Sequence, residues 1–392
     1  MARILLAWEL GGNGGHAAKL ASLARALHAE GHHVSIAAQR PDAFRALRDL
    51  LPAIDLRQAP LWPGLLNHAR DLPRLRHHQS FGDILADAGL SDSGVLEFLL
   101  RAWQGLFSDL APDLLVAEFA PAALLAARGK IPRVALGTGF ALPPAHLPAF
   151  PPFTEGQRPV LEEAALLNVA NHALARLGQA PLPHLPAIMA AEAACPATFA
   201  ALDPYGPHRK PPPLPPFLPA KPTPAKHRDS LFVYLPAQSA QIAPILKALL
   251  TAAARGHRIF GHLPGLPTAE LNRLTAAGLH LNPTPLPLEA ITEHARLILA
   301  QGGLGLTSTA LAAGIPLLLL PTDREKRLTA EACERLGVAR VCAPEVDPAP
   351  LLAEMLENHT AESNAKAQAA KFLNEYNAGT LPLLLNAIHG LL

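Results

Sequence analysis

Cysteine is scarce in this chain of 392 residues: there are three, Cys195, Cys333 and Cys342, an odd number with no metal-ligand spacing. That predicts a disulfide-free protein and a reducing compartment, the cytoplasm. Aromatic residues are only 5% of the chain, whereas hydrophobic residues are 50%; the cores must therefore be built of alanine and leucine. Neither sign of charge is in excess, with 33 Lys and Arg against 32 Asp and Glu. The formal net charge of +1 gives no long-range pull toward nucleic acid or an anionic membrane, and no nucleic-acid partner is expected. No run of about 18 apolar residues occurs, so no transmembrane segment is expected. Met1, Ala2 and Arg3 lead straight into an apolar strand, with no signal-peptide core.

Several chemical signatures are missing as well. There is no D-x-D pair, no H-E-x-x-H and no C-x-x-C, so no metal site is expected. No G-x-x-x-x-G-K-[ST] loop occurs, which argues against a P-loop nucleotidase, and no G-x-S-x-G elbow, which argues against an α/β-hydrolase.

Proline is abundant instead, with 41 residues, about twice average usage. The densest cluster, residues 203–226, cannot hold regular hydrogen-bonded structure and reads as an extended linker; a second, 143–159, reads as a loop. On either side, short apolar runs alternate with helical spacing. Residues 4–8, 34–38, 113–117 and 133–136 read as strands of one series, and 231–235, 257–260, 297–300, 317–320 and 338–342 as strands of another. Such alternation predicts parallel sheets covered on both faces, an α/β protein of two Rossmann-like domains. The expected bounds are 1–202 for the first domain, 203–228 for the linker, 229–360 for the second domain and 361–392 for a terminal helix.

Two glycine turns carry the chemistry. Residues 301–321 read strand, Gly-Gly turn, helix, strand. A helix start after such a turn offers unpaired amides and the positive end of the helix dipole to an anion, and a diphosphate is the ligand expected there. In the first half, Gly12 to Ala17 fit G-x-G-x-x-A, a dinucleotide fingerprint. The next strand ends at Gln39 and Arg40, with no acidic residue for a ribose 2′-hydroxyl, though Arg40 suits NADP. In the other reading of this turn, Gly14 and Gly15 admit a substrate to the backbone and His16 points into a cleft as a base; a plain helix-capping role for His16 also stays open. Glu118, after the strand at 113–117, would face His16 and orient its imidazole, or be a solvated surface carboxylate. The run Asp323, Arg324, Glu325, Lys326 reads either as carboxylates for sugar hydroxyls or as an exposed charged loop. The basic segment 70–78 reads as solvated surface or as a contact for an anionic acceptor.

These residues resemble a known family, the nucleotide-sugar-dependent glycosyltransferases of the GT-B fold, in particular family 1 enzymes of the UDP-glycosyltransferase and bacterial macrolide type. The donor signature of that family runs H-G-G-x-G-T, a helix, G-[IV]-P, an apolar strand, Pro, then an acidic-Gln pair and an Ala. Gly302, Gly303, Gly305, Ala310, Leu311, Gly314, Ile315, Pro316, Pro321, Glu325 and Ala330 match in place. Pro287, Leu288, His294 and Ala295 resemble the approach to it, Pro112 to Val116 the P-D-L-V-V strand, and Leu136 to Phe140 an acceptor loop. The resemblance spans essentially the whole chain. It implies two Rossmann-like domains facing across a cleft and an inverting, metal-independent, hexosyltransferase-like reaction. No cofactor is implied; the co-substrate would be a UDP- or dTDP-sugar and the partners small-molecule donor and acceptor. His16 would be the base and Glu118 its orienting carboxylate. Gln301, Gly302, Gly303, Gly305, Thr307 and Ser308 would hold the diphosphate, and Glu325 and Lys326 the sugar. Gly14, Gly15, Thr138, Gly139 and Phe140 would lie on the acceptor side, and residues 372–377 would cross back to the first domain. Three departures stand out: Gln301 replaces a phosphate-binding His, Leu306 a Thr and Lys326 a sugar-binding Gln. They leave open a different donor, weak activity or a non-catalytic nucleotide-sugar-binding relative; the competing classes are an epimerase of the same fold and, from the fingerprint, an NADP-dependent oxidoreductase.

Overall fold

The computed structural model describes residues 1–12, 14–50, 53–66, 78–217, 228–377 and 379–392, with the backbone alone at 46–50 and 65–66. Most of the basic segment 70–78 and much of the expected linker therefore lie outside the described residues; His78 is described and meets Asp87 at 3.3 Å. The chain divides into two compact units. The first is Met1–Ala197 with Tyr205–Leu214 and Thr380–Leu392; the second is Thr198–Pro204 with Pro215–Gly379.

In the first unit the elements run β1 (Arg3–Trp8), α1 (Gly14–Ala29), β2 (His33–Ala38), β3 (Asp55–Gln58), α2 (Pro63–Leu66), α3 (Phe81–Leu85), α4 (Ser93–Leu110), β4 (Leu114–Glu118), α5 (Pro121–Ala127), β5 (Arg133–Gly137), α6 (Glu163–Arg176) and β6 (Ala193–Pro196). The strands form one parallel sheet in the order β3-β2-β1-β4-β5-β6. The near-continuous apolar runs of β1, β4 and β5 are what a strand buried on both faces requires. On one face α1 buries Ala17, Leu20, Ala21, Leu23, Ala24 and Leu27, the helical spacing read in the sequence. On the other, Leu5, Ala7, Leu115 and Ala117 share a core with Trp103, Leu124 and Leu174 from α4, α5 and α6.

The second unit runs β7 (Ser230–Tyr234), α7 (Ile242–Ala254), β8 (Arg258–His262), α8 (Thr268–Ala276), β9 (His280–Leu281), α9 (Leu288–His294), β10 (Ala295–Ala300), α10 (Leu304–Ala313), β11 (Leu317–Leu319), α11 (Arg324–Arg335), β12 (Ala339–Val341), α12 (Pro348–Glu357) and α13 (Thr360–Asn377). Its parallel sheet is ordered β12-β11-β10-β7-β8-β9. Counted within the unit and read from the β9 edge this is again third, second, first, fourth, fifth, sixth. Both units are thus doubly wound in the dinucleotide-fold order, which reverses between the first and fourth strands.

The proline-rich stretch is not a free linker throughout. Tyr205 is buried, its hydroxyl 3.5 Å from the Phe140 carbonyl. Arg209 donates to the carbonyls of Gly139 and Leu142, and Leu214 N–H to Pro196 at 2.8 Å. Proline removes donors and fixes φ, but it does not stop its neighbours' side chains from anchoring. The chain end differs in the same way. Phe372, expected to leave the second domain, packs on Phe199 within the second unit at 4.8 Å. The chain rejoins the first unit only at α14 (Thr380–His389). The three cysteines are free and buried. Among the described residues no helix is long and apolar enough to cross a membrane.

Candidate active site

In a doubly wound sheet, ligands sit outside the carboxyl ends of the strands where the order reverses. In the first unit that point lies between β1 and β4, whose final residues Trp8 and Glu118 pair in register. The turn after β1 delivers His16 on the first turn of α1, and β4 delivers Glu118. His16 Nδ1 lies 2.8 Å from Glu118 Oε1. Both side chains are buried, the imidazole 9% and the carboxylate 0% exposed. The expected pairing is therefore present, and the solvated reading of Glu118 is excluded. The ring is held on three more sides. Trp8 stacks on it at 5.2 Å and 22°, its own indole N–H fixed to the Leu10 carbonyl at 2.7 Å. Phe119 lies 6.3 Å away. Phe119 has φ +48, a backbone state uncommon outside glycine, and its carbonyl accepts from Leu10 N–H at 3.0 Å. Gly11 has φ +82, and a Cβ there would stand 2.5 Å from His16 Nε2. The Gln39 amide also donates to the Gly11 carbonyl. The glycine this turn requires is thus Gly11, outside the fingerprint; Gly14 and Gly15 are exposed with nothing within 4 Å of a would-be Cβ.

Two charged residues escaped the sequence reading. Lys19, one helical turn after His16, places Nζ 2.6 Å from the same Glu118 oxygen, leaving Glu118 Oε2 without a hydrogen bond. The available signal was a lysine at i+3 from His16 beside an Ala/Leu face. Glu9, just after β1, is fully buried. It accepts from Trp62 Nε1 at 2.9 Å and from the Ala122 and Ala123 amides at 2.9 and 2.7 Å, at the start of α5. These two buried carboxylates titrate in opposite directions. Burial pushes Glu9 up to about 7, its neutral donors offsetting only part of the desolvation. Burial also acts to raise Glu118, but the Lys19 ammonium and the His16 hydrogen bond outweigh it and hold the group below its ordinary value. Beside them, at the end of β5, Thr138 Oγ1 accepts from Ala141 N–H at 3.1 Å, and Phe140 is buried in a stack on Phe153 at 5.2 Å. Arg209 holds the Gly139 carbonyl at 3.1 Å.

In the second unit the reversal lies between β7 and β10, where Tyr234 pairs with Ala300. Gln301 and Gly302 follow, then Gly303 at the N-cap of α10 with no side-chain cap. Gly302 has φ +89, and a Cβ on it would approach the Lys326 carbonyl to 3.1 Å, so the turn packs on the start of α11. Gly303 and Gly305 are exposed with nothing within 4 Å of a would-be Cβ. The first amides of α10 have no acceptor within the helix, and the dipole adds positive potential. Two expected contacts differ. Thr307 and Ser308 are 1% and 0% exposed, so neither hydroxyl lies at the surface of this turn. Lys326 is already committed, its Nζ 2.7 Å from Asp323 Oδ2 and 2.9 Å from Thr322 Oγ1, while Asp323 caps α11 through the Lys326 amide. Glu325 occupies the first turn of α11.

No family model matches the chain. Its fold is that of solved GT-B glycosyltransferases. It superposes on CalG4, the calicheamicin glycosyltransferase, with a TM-score of 0.72 and 20% identity, covering 100% of this chain and 98% of that one. For the glycotransferase of kitacinnamycin the values are 0.70, 17%, 100% and 99%. For the spinosyn rhamnosyltransferase SpnG complexed with thymidine diphosphate they are 0.65, 18%, 98% and 99%. Among curated proteins, a PGL/p-HBAD biosynthesis glycosyltransferase of Mycobacterium tuberculosis (strain ATCC 25177 / H37Ra) is 38% identical over 71 residues, 16% of this chain. That match spans 17% of the relative's length.

Proposed function

We propose that the chain is an inverting, metal-independent glycosyltransferase that moves a sugar from a nucleoside-diphosphate sugar to an acceptor hydroxyl. The observation that carries this reading is the buried contact of His16 Nδ1 with Glu118 Oε1 at the reversal point of a GT-B unit. A carboxylate on Nδ1 fixes the proton there and leaves Nε2 as the basic nitrogen. The acceptor hydroxyl gives its proton to Nε2 as its oxygen attacks the anomeric carbon. The bond from that carbon to the diphosphate oxygen breaks, and the electron pair leaves with the nucleoside diphosphate. Glu118 stabilises the imidazolium that forms. It is held by the His16 ring and the Lys19 ammonium, and Glu9 is engaged by three donors below the surface. Neither is placed as a nucleophile, which supports single displacement with inversion rather than a covalent glycosyl intermediate. The open amides of α10 suit the developing diphosphate charge, and Glu325, on the first turn of α11, is the carboxylate offered to the sugar, Lys326 being engaged by Asp323 and Thr322. The solved SpnG complex with thymidine diphosphate supports dTDP or UDP as the carrier.

The test is a thermal-shift panel with UDP, dTDP, GDP, ADP and NADP, followed by transfer assays with the nucleotide that binds. Ligands of the native state raise Tm by mass action. A rise with one pyrimidine diphosphate, and release of that diphosphate only with acceptor present, is the expected result. A rise with NADP alone would overturn it. Release without any acceptor would point to an epimerase, and binding that never leads to transfer to a non-catalytic relative.

A further inference from the structure

We propose that Glu30, His32 and His389 form a binding site for a divalent transition cation of the zinc class, which fastens the last helix of the chain to the first unit. One nitrogen of each imidazole and one carboxylate oxygen all lie within 4.8 Å of one another. Glu30 Oε2 is 2.9 Å from His389 Nε2 and 3.9 Å from His32 Nε2. Tetrahedral zinc with bonds of about 2.0–2.1 Å needs ligand atoms about 3.3 Å apart, a value between these two distances. Two imidazoles and a carboxylate are a zinc donor set that leaves one position for water, and they suit zinc, cobalt or nickel better than magnesium or calcium.

The surroundings favour a cation independently of the ligands. Glu30 and His32 follow the last turn of α1, and His389 is the last residue of α14. Two helix carboxyl ends, each carrying partial negative charge, therefore meet at this point. The two imidazoles are stacked at 6.2 Å and 28°, and both have a nitrogen within 4 Å of the same carboxylate oxygen. One contact must yield. The Ala2 amide lies 3.3 Å from His32 Nδ1, and an Nε2-bound imidazole carries its proton on Nδ1; this long hydrogen bond is given up on binding. The site was invisible to motif reading because Glu30 and His389 are 359 positions apart.

The test is calorimetric titration of the full chain with zinc chloride after chelator treatment, with Tm followed in parallel. The wild type should take up one tight equivalent and gain Tm. Cobalt should give the visible absorption of a tetrahedral site, and magnesium should do nothing. His389→Ala and His32→Gln should each weaken that equivalent by more than the roughly 10–100-fold that even outer-shell partners are worth, and abolish the Tm gain. His280→Ala, an exposed histidine of the second unit, should change nothing and controls for the other surface histidines among the 18 in the chain. Circular dichroism confirms that the variants are folded; both histidines are partly exposed, at 45% and 13%. No zinc uptake by the wild type, or uptake unchanged in His389→Ala, overturns the proposal.

Discussion

The two reversal points of this molecule are built alike and filled differently. Each follows the first or fourth strand of a sheet wound in the same order. Each has one glycine forced by positive φ and a crowded Cβ position, Gly11 and Gly302. Each then opens a helix with exposed glycines that touch nothing, Gly14 and Gly15 in one, Gly303 and Gly305 in the other. Beyond that the chemistry parts. The first point gathers an imidazole, a carboxylate and an ammonium within 2.8 Å steps of one another, sealed by aromatic rings. The second presents bare amides and buries the Thr307 and Ser308 hydroxyls. A groove of amides holds an anion and moves no proton; a histidine on a buried carboxylate does the reverse. Under the proposed reaction, the same topology supplies two positions, and the side chains assign acid-base chemistry to the first and anion binding to the second.

The comparison is most exposed to failure at His16. His16→Ala should cut transfer by roughly 10²–10⁴, the usual worth of a general base, while nucleoside-diphosphate affinity stays within experimental error. Loss of both in equal measure would mean the two points do not divide the work. Lys19→Met comes next. It leaves Glu118 buried beside a single partner, and breaking a buried ion pair from one side costs about 3–5 kcal/mol, measurable by denaturant unfolding at pH 7. An unchanged stability would show that the His16 contact alone sustains the carboxylate.

Glu9→Gln sharpens the contrast between the two buried acids. A carboxyl whose folded value is about 7, against an ordinary 4.5, binds more protons folded than unfolded across that window. Its contribution to stability is complete below pH 4.5 and is lost as pH rises through 7. The stability difference between Glu9→Gln and wild type should therefore change by about 3 kcal/mol in favour of the variant between pH 4.5 and 8, at 1.36 kcal/mol per unit. Glu163, also pushed up to about 7 by burial, slopes the same way in both proteins and cancels in that difference. Glu118, held low, has the opposite sign: its contribution is present above its unfolded value and lost in acid. The smallest effects belong to the open glycines. Gly15→Ala and Gly305→Ala should stabilise the fold by about 0.5–1 kcal/mol, as alanine does within a helix, and only Gly305→Ala should weaken nucleotide binding.

What the sequence revealed follows a physical line. Strand and helix periods, glycine turns and helix ends are set by neighbours along the chain, so the runs at 4–8 and 297–300 anticipated β1 and β10 to within two residues, and the helices α1 and α10 after their glycine turns were legible as elements. His16 and Glu118 could be paired because each sits at a strand's carboxyl edge, and parallel sheets bring those edges together. Lys19 and Glu9 were not legible as site residues. Their partners Glu118 and Ala122 lie 99 and 113 residues away, and the one local signal, Lys19 at i+3 from His16, does not say which carboxylate it meets. The burial of Thr307 and Ser308 was missed for the same reason, since it depends on how α10 rotates against its sheet. The proline stretch misled differently: composition excludes regular hydrogen bonding but does not reveal that Tyr205 and Arg209 anchor it to the loop at 139–142.

The division of labour between the two reversal points is tested most directly by calorimetric titration of dTDP and UDP into wild type, His16→Ala and Gly305→Val. One of these nucleotides should bind wild type and His16→Ala alike, and Gly305→Val should lose it. Full binding by Gly305→Val together with loss in His16→Ala would contradict that division, placing the diphosphate on the first unit.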